Sequence, residues 1–458
     1  MSLRGVCVTE RQLHLAVNIL ADGVHPAAWQ FPTSQPHWFV DPSFWVDVAR
    51  TAERGALDAL FLADSPTLFH RHDEPIVEVP LALDPLVLLA NLASVTEHIG
   101  LIGTVSTSFE EPYNLARRFA SLDHLSRGRA GWNIITSADP HAWNNFGRGE
   151  SAAPAQPPRA QRYARAVEFV GVVRALWDSW GDDALLGDKQ AGEFLKLGAV
   201  NAIDHRGEHF TVAGPLTLPR TPQGHPVLFQ SGGSPDGIAL AARYADGVFV
   251  AHEWLPDALN VADQLRTRAT SYGRVAGDIR FMPGLAFVLG STEAEARRRN
   301  DELNELAGER RLGLFASQLS VDPSVLDWDD PLPTALIDSP APVGGSRGAR
   351  DLILNLARRE ALTVRQIMER IINWHRLVVG SPEQIADTIE NWFVSGAADG
   401  FNLMPDVFPT GLELFVDHVV PILRHRGLFR REYTHTTLRG HLGLQRVPDR
   451  HAAALTGI

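Results

Sequence analysis

The chain has 458 residues, 45% of them apolar, a single cysteine and a formal net charge of -12 at pH 7. That length suits one large barrel or two ordinary domains, and the apolar fraction suits a well-packed core. Cys7 alone rules out an internal disulfide, the acidic balance argues against binding a phosphate backbone, and there is neither a run of eighteen apolar residues nor a signal-peptide pattern. A cytoplasmic protein with no nucleic-acid or membrane partner is therefore expected. Basic clusters such as Arg297 to Arg299 alternate with Glu293, Glu295, Asp301 and Glu302, the pattern of a solvated helix face.

Along the chain, short apolar runs alternate with amphipathic stretches, as parallel strands joined by crossover helices do. Strands are predicted at 13–19, 56–62, 99–103, 129–135, 226–230, 247–251, 281–289 and 400–404. Helices are predicted at 42–54, 85–97, 113–125, 162–180, 236–244, 256–272, 292–306, 382–395 and 411–426. Eight strands in this rhythm make an α/β chain with a single (β/α)8 TIM barrel domain over residues 1–458. Insertions near 20–41, 183–225 and 312–377 exceed ordinary connections and belong on the carboxyl face of the strands. The third contains DSPAPVGGSRGAR, residues 338–350, whose Pro and Gly content fits either a lid or a surface excursion. A doubly wound open sheet, the rival fold, calls for a glycine-rich fingerprint after the first strand, and none follows.

In such a barrel the active site forms where the strands end, and several predicted ends are polar: Asp64 and Ser65, the run from Thr104 to Ser108, Asn133 with Thr136 and Ser137, and Gln230 to Ser234. In the stretch SRGRAGWNIITSADP, period-two alternation sends one of Trp132 and Asn133 into the barrel and the other toward the helices. An inward Asn133 needs hydrogen-bonding partners, which a heterocycle would provide. In QSGGSP, Ser234 is an N-cap and Pro235 the first helical residue; the turn is either a phosphate seat on Ser231, Gly232 and Gly233 or only a tight, well-capped corner. His70 and His72 form a His-x-His pair, as in metal-dependent barrel hydrolases, but they fall in a loop between Pro66 and Pro75, and His205, His209, His225 and His252 lack ligand spacing. No metal site is expected.

The blocks LFLADS, IGLIGTVSTSFEEPYNLARRFASLDHLSRGRAGWNIITS, HRGEHFTVAGPLTLPRTPQGHPVLFQSGGS, VGSPEQIADTIENWF and VVPILRHRGLFRREY occur in one order over most of the chain. They resemble the bacterial luciferase-like flavin monooxygenases, especially the branch of nitrilotriacetate, EDTA and dibenzothiophene-sulfone monooxygenases. The resemblance implies an FMN-dependent monooxygenase: reduced FMN, delivered by a separate NAD(P)H-dependent flavin reductase, reacts with O2 to a flavin hydroperoxide that oxygenates a small organic substrate. It assigns flavin contacts to Asp64, Thr104, Asn133, Thr136, Ser137, Tyr163, Ser231 and Gly232, the last three near the phosphate, and implies self-association into a homo-oligomer. Where the family commonly has His four residues before the matched tyrosine, this chain has Arg159 before Tyr163, so Arg159 either contacts phosphate or turns outward. His14, His25 and Trp29, at or after the first strand, are candidates for facing substrate; no acid or base is assignable. A strongly anionic substrate would call on loop arginines, of which Arg71, Arg148, Arg159, Arg347 and Arg350 are available. A deazaflavin-dependent dehydrogenase and a non-catalytic flavin-binding barrel are the alternatives.

Overall fold

A computed structural model describes residues 11–35, 37–68, 83–146, 156–338 and 347–450. Eight parallel strands close on themselves: β1 (His14–Ile19), β2 (Ala59–Leu62), β3 (Gly100–Ser106), β4 (Ala130–Ile135), β5 (Val227–Ser231), β6 (Gly247–Val250), β7 (Arg280–Leu289) and β8 (Gly400–Pro405). Each pairs with the next, and β8 returns to β1 through His14↔Gly400 and Ala16↔Asn402. This is the TIM barrel, and the open-sheet alternative is excluded by that closure.

The helices begin where the sequence punctuates them. Asp41, Asp84, Ser234 and Ser381 each accept a hydrogen bond from the first turn, and each is followed by proline at the first helical position: Pro42–Arg54, Pro85–Ala93, Pro235–Tyr244 and Pro382–Val394. The second of these stops at Ala93, short of the predicted 97. Ser94 and Thr96 bond back to the carbonyls of Asn91 and Leu92, and the buried Arg129 guanidinium takes the Ala93 and Thr96 carbonyls. The helix predicted at 411–426 runs in three pieces, Thr410–Leu414, Phe415–Val419 and Val420–His425, the middle one π-wound just before Pro421, which has no N–H to continue an α-ladder.

Two features position the site. Between β7 and Pro382–Val394, the helices Arg310–Leu319, Arg347–Glu360 and Val364–Arg370 pack around their own small core, with Phe315, Ile353, Leu356, Val364 and Ile367 buried. The chain then returns as a ninth strand, His375–Gly380, parallel to the upper half of β7, where the short β6 no longer reaches. At the opposite end, Leu438, Leu442 and Leu444 of the C-terminal segment cluster with Ala16, Ala59, Ile102, Val227 and Met282 inside the barrel and stop its floor.

Candidate flavin site at the barrel mouth

Register fixes which side chains point inward. On β4 it is Asn133; Trp132 faces out, wedged between Phe119 and Phe169, with its indole N–H donating to the Val105 carbonyl at 2.9 Å. Inside, a chain of hydrogen bonds crosses three strands: Ser231 Oγ donates to Asn133 Oδ1 at 2.8 Å, and Asn133 Nδ2 donates to Thr104 Oγ1 at 2.9 Å. Thr104 lies within β3, which continues to Ser106 beyond the predicted end. Ser137 Oγ bonds Ser106 Oγ at 2.7 Å, and the Thr136 carbonyl accepts from Arg162 at 3.1 Å, tying the rim to helix Arg159–Trp177.

Ser231 leads into the glycine turn. Gly232 has φ +139°, outside the range side chains favour, and a Cβ there would stand 3.9 Å from the Tyr163 hydroxyl. Ser234 Oγ accepts from the Gly237 N–H at 3.2 Å, and the ten-residue helix behind it aims its N-terminal dipole at the turn. Above Gly233 the space is open: a Cβ would meet only Val250 Cγ1, at 4.0 Å. Arg159 does not turn away; its Nε lies 2.9 Å from Asp236 Oδ2 and its guanidinium 5.6 Å from the Tyr163 ring, so it borders the cradle while already paired. The Gly232 N–H is already given to the Phe249 carbonyl at 3.2 Å; the open Gly233, a helix N-terminus and a flanking guanidinium fit a phosphate monoester.

Beneath the mouth, Phe61 meets Phe229 and Phe249 edge-on at 5.8 and 5.3 Å, an apolar floor. His375, from the ninth strand, lies flat on Phe249 with ring centroids 5.1 Å apart, in the space that Gly284 leaves: a Cβ there would sit 2.2 Å from His375 Nδ1. Asn18 Oδ1, Asn402 Oδ1, His252 Nε2 and His375 Nδ1 are buried without a protein partner. Buried orphaned acceptors and donors fit a ligand that is itself a hydrogen-bonding heterocycle. Burial lowers His252 to about 4 and His375 to about 3, so both are neutral imidazoles near neutral pH. Asp64 goes the other way: burial, then the nearby Asp84, pushes its carboxyl up to about 6.

Other expectations land elsewhere. His14 is a correction: as the first residue of β1 it sits at the amino end, 3.1 Å from Asp58, on the far side from the mouth, because a parallel strand's first residue belongs to the floor. His25 has both ring nitrogens bonded within the chain, its Nδ1 accepting from the Ala27 N–H at 3.2 Å and its Nε2 then donating to Asn304 at 3.1 Å; burial holds it at about 4. Trp29 is 37% exposed on the turn Ala28–Gln30. Arg350 is buried among the inserted helices and donates to the Leu336 carbonyl at 3.3 Å. His70, Arg71, His72, Arg148 and most of the 338–350 segment lie outside the described residues. Among the described residues, no group of three or more His, Cys, Asp or Glu could hold a metal, and no helix is long and apolar enough to cross a membrane.

Asn18, Asn402 and His375 were missed by sequence reasoning. Asparagine inside the otherwise apolar HLAVNI and GFNLMP is the signal for the first two, since Asn is depleted in strands.

Comparison with known proteins places this chain in a family. A model of luciferase-like monooxygenases matches residues 25–399. The chain is 43% identical to nitrilotriacetate monooxygenase component A of Aminobacter aminovorans, over 95% of this chain and 97% of the relative. It is 40% identical to the N-acetyl-S-(2-succino)cysteine monooxygenase of Bacillus subtilis, over 97% and 99%. Among solved structures, EDTA monooxygenase from Chelativorans sp. BNC1 superposes with a TM-score of 0.79 at 36% identity, covering 96% of this chain and all of that one. This chain belongs to the luciferase-like monooxygenase family, and is a flavin-dependent oxidoreductase.

Proposed function

We propose that this protein is the oxygenating component of a two-component system, acting in the cytoplasm, which takes reduced FMN from a separate NAD(P)H-dependent reductase and uses O2 to oxygenate a small organic substrate. The observation that carries this reading is the Ser231–Asn133–Thr104 chain, which runs from a phosphate-shaped turn directly into a polar barrel mouth. A riboflavin lyase solved with modified FMN is 31% identical, with a TM-score of 0.80 over 95% of this chain, which supports FMN as the ligand. The name "component A" of the nitrilotriacetate enzyme supports a separate partner.

Ser231, Gly232 and Gly233 would hold the phosphate, with Tyr163 and Arg159 at its side. Asn133, donating and accepting at once, would orient the ring edge, with Thr104 bracing it and Ser106, Thr136 and Ser137 forming the rim. Bound reduced flavin supplies the electrons that activate O2. The chain's own residues exclude water with the Phe61, Phe229 and Phe249 floor, and the Asp64 carboxyl, held near pH 6, can keep or release a proton at its oxygen near neutral pH. Among the described residues, Arg159 is paired with Asp236, Arg162 is held on the Thr136 carbonyl and Arg350 is buried among the inserted helices.

The test is anaerobic titration with reduced FMN, then rapid mixing with oxygenated buffer. Binding followed by an absorbance transient distinct from reduced and oxidised flavin is expected. Indifference to FMN with tight deazaflavin binding would overturn it; the likeness to a deazaflavin-dependent secondary alcohol dehydrogenase, at 16% identity, extends to fold alone. Tight FMN binding with no turnover of any organic compound would instead indicate a flavin-binding barrel without catalysis.

A further inference from the structure

Inward-facing polar groups divide the barrel in two. On β3, β4 and β5 they are bonded to one another, in the Ser231–Asn133–Thr104 chain. On β1 and β8 they are not: Asn18 and Asn402 are 4% and 2% exposed, and the Oδ1 of each is buried with no hydrogen-bond partner among the described residues. Register brings them together. Ala16 and Gly284 flank Asn402 on the neighbouring strands, and Asn18 is the next inward residue of β1. The space that Gly284 leaves holds the His375 imidazole, 7% exposed, its Nδ1 likewise unpartnered.

A tight turn delivers that imidazole. Ile372 pairs with His375 across Asn373 and Trp374, both at positive φ, 43° and 68°. Such a turn favours Asn-Gly, and a tryptophan in the left-handed region is strained, so the surrounding structure must hold it there. Asn373 Nδ2 pins the turn by donating to the Val24 carbonyl at 3.1 Å. Beyond the three polar groups the next inward residues are apolar, Leu20, Ala286 and Met404, in one cluster with Phe249 and Leu377. Phe249 faces inward yet is only partly buried, so the barrel is open over it.

We propose that this β7–β8–β1 side is the substrate subsite, and that it takes an uncharged molecule whose amide or hydroxyl group both donates and accepts, bonded by Asn18, Asn402 and His375, with an apolar body against Leu20, Ala286 and Met404. The proposal rests on the flavin reading above, in which Asn133 meets the ring edge from the opposite side and leaves these groups for the second ligand. Two amide oxygens call for a donor, and the N–H groups of the same side chains offer the return bond. An anion fits poorly. The amides and the neutral imidazoles of His375 and His252 carry no counter-charge, the adjacent Glu253 is committed to Arg359 and Arg370, and a carboxylate buried without a cation loses its hydration uncompensated.

The test uses the full chain loaded with oxidised FMN and reads flavin absorbance during titration with matched probes: benzamide and benzoate, benzyl alcohol and phenylacetate. Saturable binding of the two neutral probes is expected, with the acids roughly tenfold weaker or worse. His375→Phe keeps a ring stacked on Phe249 and removes both nitrogens; it should load FMN as the wild type does and bind the neutral probes about five- to tenfold more weakly. Without any variant, para-azidobenzamide photolysed on the loaded protein should mark β1, β7, β8 or the ninth strand. Acids that bind as tightly as the neutral probes, neutral probes that do not bind, unaltered affinity in His375→Phe, or labels confined to β3, β4 and β5 each overturn the proposal. Failure of the chain to load FMN, seen before any probe is added, would instead bring down the flavin reading and this proposal with it.

Discussion

At the scale of single residues, the site depends on Asn133 having an amide. No other side chain of that size accepts from Ser231 and donates to Thr104 at once, and both neighbours are already committed to it. Asn133→Ala removes both bonds and leaves the two hydroxyls unlinked inside the barrel; a loss of about 1–2 kcal/mol is expected. Equilibrium titration should show reduced-FMN affinity down roughly tenfold, with the melting temperature little changed. Asp64 makes a different prediction. Its carboxyl rises from 3.8 unfolded to about 6 folded, so between those values the folded protein holds the proton more tightly, and stability falls as pH rises from about 4 to 6. Asp64→Asn removes that slope. Melting curves across this range should be flatter for the variant and higher than wild type at pH 7, while reduced-flavin binding loses any inflection near pH 6.

At the scale of elements, the inserted helices are joined to the barrel by one buried carboxylate. Glu253, just after β6, pairs with Arg359 at 2.9 Å and with Arg370, while the Arg376 guanidinium donates to its carbonyl at 3.0 Å. Arg359 and Arg370 lie on the helices Arg347–Glu360 and Val364–Arg370, and Arg376 is next to His375, so this clamp sets where that imidazole rests. Glu253→Ala takes the carboxylate from Arg359 and Arg370, which are partly solvated and keep Glu360, a cost of about 1–3 kcal/mol. Limited proteolysis should then cut 310–370 faster than the barrel, and kcat/KM should fall while the phosphate end, and with it oxidised-FMN affinity, holds. The clamp was invisible in the sequence because its partners are more than a hundred residues apart. The barrel itself was readable: all eight strands and nine helices show their period, and the X-Pro caps mark the starts. What failed did so for a stated reason. Thr104 was placed past its strand because glycine and threonine end an apolar run without ending the ladder, and His14 was judged by its nearness to a strand rather than by which end of the strand it occupies.

At the scale of the whole molecule, the two ends of the barrel do separate work. The mouth holds orphaned polar atoms; the floor is closed by the C-terminal segment through paired charges. Arg439 pairs with Asp246 at 2.6 Å, the Tyr433 hydroxyl donates to the Leu57 carbonyl at 2.7 Å, and Arg430 bonds Asp58, which also accepts from the Leu15 N–H. Burial pushes the Asp58 carboxyl up, but Arg430 and His14 outweigh it and hold it at about 2. A carboxyl depressed on folding stabilises above its unfolded value of 3.8, and that contribution fades as pH falls toward 2. Arg430→Met leaves the carboxylate buried with only His14 and the Leu15 N–H as partners, which costs about 3–5 kcal/mol at pH 7. Thermal unfolding should show a large drop in melting temperature there, narrowing toward pH 3 as Asp58 takes up a proton and the missing cation ceases to matter. FMN affinity measured well below the melting temperature should be unchanged. A parallel loss of FMN binding would mean that the floor and the mouth are one cooperative unit, and that the separation of stability from chemistry along the barrel axis is wrong.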